Sequence, residues 1–213
     1  AQSHDEGVVY TFDGKPGELL LTYRLWSIDS PGEVEILVNG NSLGYADMTG
    51  RYTASPVLTL RIPPECLNEF DLNTLTFAWN SAGVNDMWAV GNVEIVELIP
   101  LPAPGYYGNL ANVRYGDTSH PRIVGFVFEP TSFLAVIRYR AFDVDFEGEI
   151  EILVNGHRVG EVTSLANNAL TNSTLLFLMD DVLLSNERNT IVFRNVLNPP
   201  YNLIWGVGQV EFP

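Results

Sequence analysis

The chain holds one cysteine and three histidines in 213 residues, and its only lysine is Lys15. Each scarcity removes a class of chemistry. A lone Cys66 forms no intrachain disulfide and completes no cysteine-based zinc or redox motif, so a small buried hydrophobe is its simplest role. His4, His120 and His157 have no metal-ligand spacing. With 11 basic residues against 26 acidic ones, the net charge is −15. Nucleic acid and anionic membrane are poor partners for such a chain, because binding them takes clustered Lys and Arg; cations and neutral ligands remain. No apolar run approaches the roughly 18 residues that cross a bilayer, so no membrane insertion is expected. G-x-S-x-G, a phosphate-binding glycine loop and H-E-x-x-H are all missing. Any acidic chain offers carboxylate pairs for glycoside hydrolysis, but duplication of a small domain suits avidity better than catalysis, so no enzyme is expected.

What is present is a packed-core composition, 46% hydrophobic and 17% charged, written twice. "EVEILVNG" begins at Glu33 and "EIEILVNG" at Glu149, and the same offset aligns Ser3-His4 with Ser119-His120, Tyr23-Arg24 with Tyr139-Arg140, Asp29 with Asp145, Gly44 with Gly160, Asn73-Thr74 with Asn189-Thr190 and Phe77 with Phe193. With one inserted residue, Trp88 to Ile95 matches Trp205 to Phe212. Such constant register marks an internal duplication. The expected domains are 1–99 and 119–213. The segment 100–118 between them reads as a connector from its three leading prolines and three glycines, with Tyr106, Tyr107 and Tyr115 suited to packing along a domain.

Each copy is a series of short alternating or apolar runs bounded by Gly, Pro, Asn and Asp. Strands are expected near 8–12, 19–26, 33–39, 43–48, 57–62, 73–79 and 88–96, and again near 123–128, 133–142, 149–155, 159–163, 174–179, 189–194 and 205–212, with a short helical turn near 65–70 or 181–186. Roughly seven strands per copy without a long helical pattern predict two tandem antiparallel β-sandwiches. Asn39-Gly40 and Asn155-Gly156 supply the positive φ angles of two-residue hairpin turns. Val34, Ile36 and Val38 should then face the core, and Glu33 and Glu35 water or a site. Gly91 and Gly208 interrupt the last strands and suggest a bulge.

Chemistry is expected just upstream of the octets. "WSIDSPGEVE" carries Asp29, Glu33 and Glu35; "FDVDFEGEIE" carries Asp143, Asp145, Glu147, Glu149 and Glu151. Carboxylates gathered in a strand-to-strand turn suit a hard cation such as Ca²⁺, which collects six to eight oxygens; an acidic turn is equally ordinary turn chemistry. A second oxygen-rich place is the loop from Asn80 to Trp88 and its match from Asn195 to Trp205. Trp88 and Trp205, at equivalent positions, read as core. Trp26, Trp79 and Tyr201 differ in character from their counterparts, and with Asn85, Asp86 and Asn202 nearby they are the candidate ligand-binding residues: a ring stacks on a sugar's C–H face while amides and carboxylates bond its hydroxyls.

"LTYRLWSIDSPGEVEILVNG", the Asn-Thr-hydrophobic-x-Phe strands at Asn73 and Asn189, and the terminal W-x-V-G-x-V-E resemble the jelly-roll, carbohydrate-binding-module-like domains of secreted bacterial adhesins and polysaccharide-active proteins. The resemblance implies a jelly roll with a structural Ca²⁺ held by Asp29, Glu33, Asp145 and Glu149. Asp143 joins them in the second copy, where the first has Ser27. It further implies a non-catalytic, calcium-dependent glycan or polysaccharide binder, secreted with its signal peptide removed. The rival reading is a structural, adhesive or protein-interaction module of an extracellular assembly; a polysaccharide-active enzyme is the third.

Overall fold

A computed structural model describes residues 7–80, 87–109, 122–130, 135–164, 166, 169–179, 181–184, 187–196 and 204–212. The chain divides into two compact units, 1–97 and 98–213. Among the described residues both are all-β apart from a single 3₁₀ turn at Pro64–Cys66.

The first unit contains β1 (Val8–Asp13), β2 (Leu19–Trp26), β3 (Val34–Val38), β4 (Asn41–Tyr45), β5 (Leu58–Ile62), β6 (Leu72–Trp79) and the start of β7 (Ala89–Pro100). They form two antiparallel sheets, in the orders β1-β6-β3-β4 and β7-β2-β5. The second unit contains β8 (Ala103–Asn109), β9 (Ile123–Phe128), β10 (Ala135–Phe142), β11 (Ile150–Val154), β12 (His157–Glu161), β13 (Thr174–Leu178), β14 (Asn189–Asn195) and β15 (Trp205–Glu211). Its sheets run β9-β14-β11-β12, with residues 98–100 of β7 lying parallel beside β9, and β13-β10-β15-β8. Strand for strand the two units share one pairing order; β8 has no counterpart among the described residues of the first.

Alternation explains why these runs are strands. In β3 and β10 every second side chain is buried, which gives each sheet an apolar inner face to lay on the other. Leu19, Leu21, Tyr23, Val34, Ile36, Val38, Leu75, Phe77 and Trp88 make the first core; Ile137, Tyr139, Ile150, Ile152, Val154, Phe193 and Trp205 belong to the second. The bulges expected at Gly91 and Gly208 are present. The register slips between Thr22 and Arg24 opposite β7, and between Arg138 and Arg140 opposite β15, with Asn92 (φ 52°) and Gln209 (φ 50°) in the left-handed region.

The hairpin turns are also as expected, with φ of 50° and 80° at Asn39 and Gly40 and 49° and 83° at Asn155 and Gly156. Because only two residues are used, pairing resumes at once (Val38 opposite Asn41). β4 and β12 therefore begin two residues earlier than the alternation suggested. Each turn asparagine is clamped. Asn39 Nδ2 donates to Cys66 O (2.9 Å) and to Asn73 Oδ1 (2.7 Å), while its Oδ1 accepts from the Thr74 amide (2.9 Å). Asn73 also accepts from the Asn68 amide and donates to the Asn68 and Asp71 carbonyls. Asn155 and Asn189 repeat the arrangement with Val182, Thr190, Leu184 and Glu187. The repeated octets and the repeated Asn-Thr pairs thus form one structural device.

The expected connector 100–118 differs from what is found. Its Ala103–Asn109 stretch is a strand paired with β15, Ala103 is buried, and Tyr107 packs edge-on against Phe126, 5.5 Å between centroids. Three prolines concealed a strand because they fall before it or at its edge, where no ladder N–H is lost. Residues 110–118 lie outside the described residues.

Candidate functional site

The turns 27–33 and 143–149 that lead out of β2 and β10 have the same backbone. Ser27 (φ 60°) and Asp143 (φ 55°) open them in the left-handed region, and Gly32 (φ 73°) and Gly148 (φ 72°) close them. Glu33, expected to face water or a site, is instead fully buried, and so is Glu149. Each folds back to cap its own turn. Glu33 Oε2 accepts the amides of Asp29 (2.9 Å) and Ser30 (3.0 Å); Glu149 Oε2 accepts those of Asp145 (2.8 Å) and Phe146 (3.3 Å). A carboxylate with two N–H donors satisfies a turn that has no ladder partner, which is why a charge is tolerated there.

The remaining oxygens differ. Asn195 Nδ2 donates to Glu149 Oε1 at 3.3 Å. The equivalent position in the first unit is Trp79, and Glu33 Oε1 is buried without a hydrogen-bond partner, as is Trp79 Nε1. Burial pushes the Glu33 carboxyl up, the amides of Asp29 and Ser30 oppose that, and the Asp29 carboxyl beside it raises it again. Burial likewise raises Glu149, against the Phe146 and Asp145 amides and with the charges of Asp145 and Asp143. Asp145 is raised by burial, then by the charge and hydrogen bonding of Asp143. Asp29 thus lies beside Glu33 and Asp143 beside Asp145, each raising its neighbour's pKa. Among the described residues no group of three or more His, Cys, Asp or Glu has the geometry of a metal site.

Over the first of these turns lies an aromatic surface. Trp26 ends β2 and stands 5.9 Å from the Tyr52 ring, and the Arg51 guanidinium sits 5.0 Å from that ring's centroid. Tyr52 is 54% exposed although its backbone is fixed: φ is 57° and its amide donates to Ser27 Oγ at 3.0 Å. The loop bearing it is stitched to the acidic turn, the Ile28 amide donating to Thr49 Oγ1 (2.9 Å) and the amides of Thr49 and Gly50 to Ile28 O. Exposed Tyr45 borders the same turn, its ring 3.9 Å from where a Gly32 side chain would begin. In the second unit Phe142 replaces Trp26 and pairs with Leu170, and Glu161, bonded to Arg158, stands where Tyr45 is.

Of the candidates from the sequence, Trp26, Asp29 and Glu33 are thus brought together, as are Asp143, Asp145 and Glu149. Trp79 is half-buried, packed against the first core with its Nε1 enclosed. Asn85, Asp86, Tyr201 and Asn202 lie outside the described residues. Tyr45, Arg51 and Tyr52 were missed because the stretch between β4 and β5 has no strand pattern, and only its stitching to the acidic turn gives it a place. No protein-family model matches the chain, and a search of curated proteins finds no relative.

Proposed function

We propose that this chain binds carbohydrate without catalysis, through the loop end of its first unit. The observation that carries the reading is the Trp26–Tyr52 pair: partly exposed rings, preorganised by hydrogen bonds, flanked by Arg51 and by the Asp29 turn. A pyranose presents an apolar C–H face and an equatorial ring of hydroxyls. The rings offer the apolar surface, and Arg51 and Asp29 offer a donor and an acceptor. Rigid aromatic anchors lose little side-chain entropy on binding. Titration calorimetry against a panel of soluble polysaccharides tests this. Binding to a member of the panel, lost in Trp26→Ala, is expected; no binding to any polysaccharide overturns it.

Calcium is part of the proposal, with Asp29 and Glu33 in the first unit and Asp143, Asp145 and Glu149 in the second as its oxygens. Its support is the buried, unpartnered Glu33 Oε1 beside Asp29, where a divalent ion would replace an acceptor–acceptor clash. The ion would order the turn on which the aromatic loop rests.

The jelly roll and the duplication belong to the same reading. Pairing β3 with β4, β2 with β5 and β1 with β6 is what a long hairpin gives when rolled, and the second unit repeats it with β8 added. Secretion rests on the resemblance of the motifs.

A protein-interaction module is the second reading. Phe70 is 90% exposed, and Val9 and Leu72 lie exposed on one face of β1 and β6. Sedimentation showing self-association that Phe70→Ser abolishes would favour it.

A further inference from the structure

The outer face of the β13-β10-β15 sheet in the second unit holds a cavity of about 360 Å³ lined by Arg138, Arg140, Asn172, Ser173, Gln209 and Glu211. That size falls in the range of small-ligand sites. Two of the chain's few arginines converge here, in a protein of net charge −15. They are not equivalent. Arg138 is neutralised by Glu211, its Nε and Nη2 at 2.9 and 2.7 Å from Oε1. Arg140 donates Nε to the Thr171 carbonyl at 3.0 Å and has no carboxylate partner among the described residues. Its guanidinium is held by the backbone on one side, with its Nη edge left for a ligand. The bulge in β15 puts Gln209 in the left-handed region and presents its exposed side chain at the same cavity. Next along this face β13 exposes Leu175, which stands opposite Arg138, and Phe177 two residues on.

We propose that this cavity is a second saccharide subsite, specific for a sugar bearing one carboxylate. The Arg140 fork takes the carboxylate in bidentate fashion, a geometry an ammonium or an amide does not supply. Asn172, Ser173, Gln209 and Glu211 Oε2 bond ring hydroxyls. Phe177 offers an apolar surface to a neighbouring sugar. The overall charge narrows the ligand further: a dense polyanion is repelled, whereas a single carboxylate on a neutral chain meets a local field that is screened beyond about 8 Å in physiological salt. The first unit keeps Arg24, Asn92 and Glu94 at the matching positions, but has Thr22 for Arg138 and Pro56-Val57 for Asn172-Ser173. The arginine is therefore common to both units, and the lining around it is particular to the second.

The inference rests on the carbohydrate reading but on different residues, so the two can fail separately. The probe is an oligosaccharide of neutral sugars carrying one uronic acid, titrated calorimetrically into the full chain at 0.15 M salt, beside the same compound with its carboxyl reduced to an alcohol. The acid form is expected to bind at least tenfold more tightly, Arg140→Gln to abolish the difference, and the exposed-site variant Asn172→Ala, which leaves the Arg140–Thr171 bond intact, to weaken both forms several-fold. Equal binding of the two forms, or a preference that survives Arg140→Gln, overturns the subsite. Binding removed by Trp26→Ala and untouched by Asn172→Ala overturns it while sparing the first-unit reading. No binding of either form, together with none of any neutral polysaccharide, overturns both.

Discussion

The turn after β2 and the turn after β10 share a backbone and differ in what surrounds it. Both open on a left-handed residue, close on a left-handed glycine and are capped by a buried glutamate. Around that frame the first unit places Ser27, Trp79, Tyr45 and Trp26, and the second Asp143, Asn195, Glu161 and Phe142. One turn is thus aromatic with an unpartnered carboxylate oxygen, the other more acidic with that oxygen bonded. Agreement between the two units marks what the fold needs. Disagreement marks where ligand chemistry can differ.

If agreement means architecture, breaking the asparagine clamp should cost the same in both units. Asn73→Ala and Asn189→Ala each remove a buried amide that bonds the turn asparagine and a loop amide and donates to two loop carbonyls, at about 1–3 kcal/mol per group left unpartnered. Loss of about 2–4 kcal/mol is expected in each, measured by urea unfolding. A clear inequality would show that one copy uses its clamp for something besides stability.

The aromatic surface separates the copies next. Tyr52→Ala should weaken polysaccharide binding about tenfold, or about 1.4 kcal/mol, since it removes an exposed ring and the seat of Arg51. Phe142→Ala, at the position matching Trp26, should change that binding little. Equal losses would place the site elsewhere.

Much of this was legible in the chain itself. Period-two burial and the Asn-Gly turns gave the strands and hairpins, because those signals are local. The strand at Ala103–Asn109 was not, because prolines at its margin outweighed its weak alternation. Glu33 was placed in the right turn with the wrong exposure: alternation sends a residue to a face only inside a ladder, and it stands just before one, as Glu149 does, where unsatisfied amides draw the carboxylate inward. Tyr52 and Arg140 could be found only from contacts far apart in sequence, although the matched Tyr-Arg pairs at Tyr23 and Tyr139 were a visible sign that the latter position is retained.

The carboxylate pairs give a pH dependence of definite sign. Folding raises the pKa of Glu33, Asp145 and Glu149, each mainly through burial. The folded state therefore holds these protons more tightly than the unfolded one. That contribution is complete below the ordinary values, 4.5 for the glutamates and 3.8 for the aspartate, and is lost as pH rises through the folded values. The melting temperature of the metal-free protein should rise as pH falls from neutral towards 5. Relief of the general negative charge acts in the same direction, so the informative quantity is the difference between variants. Glu33→Gln should flatten the first unit's share and Asp143→Ser, which copies the first unit's residue, the second's. At neutral pH calcium should raise the wild-type melting temperature and do so less in either variant. A slope unchanged by both substitutions would remove the pairs from the account.

The smallest test converts one copy towards the other. Asn195→Ala withdraws the amide that bonds Glu149 Oε1 and leaves that oxygen in the condition of Glu33 Oε1. At 3.3 Å the bond is long and Asn195 is half-exposed, so the loss should be near the low end for a hydrogen bond, about 0.5 kcal/mol. The direction of a second effect matters more than its size. With one of its three donors gone, Glu149 should hold a proton to higher pH, and the second unit's response to calcium should grow. Should the variant lose stability yet acquire no added dependence on pH or calcium, an unpartnered glutamate oxygen would not be what makes this turn a cation site. The difference between the two units would then lie wholly in their aromatic and arginine-bearing surfaces.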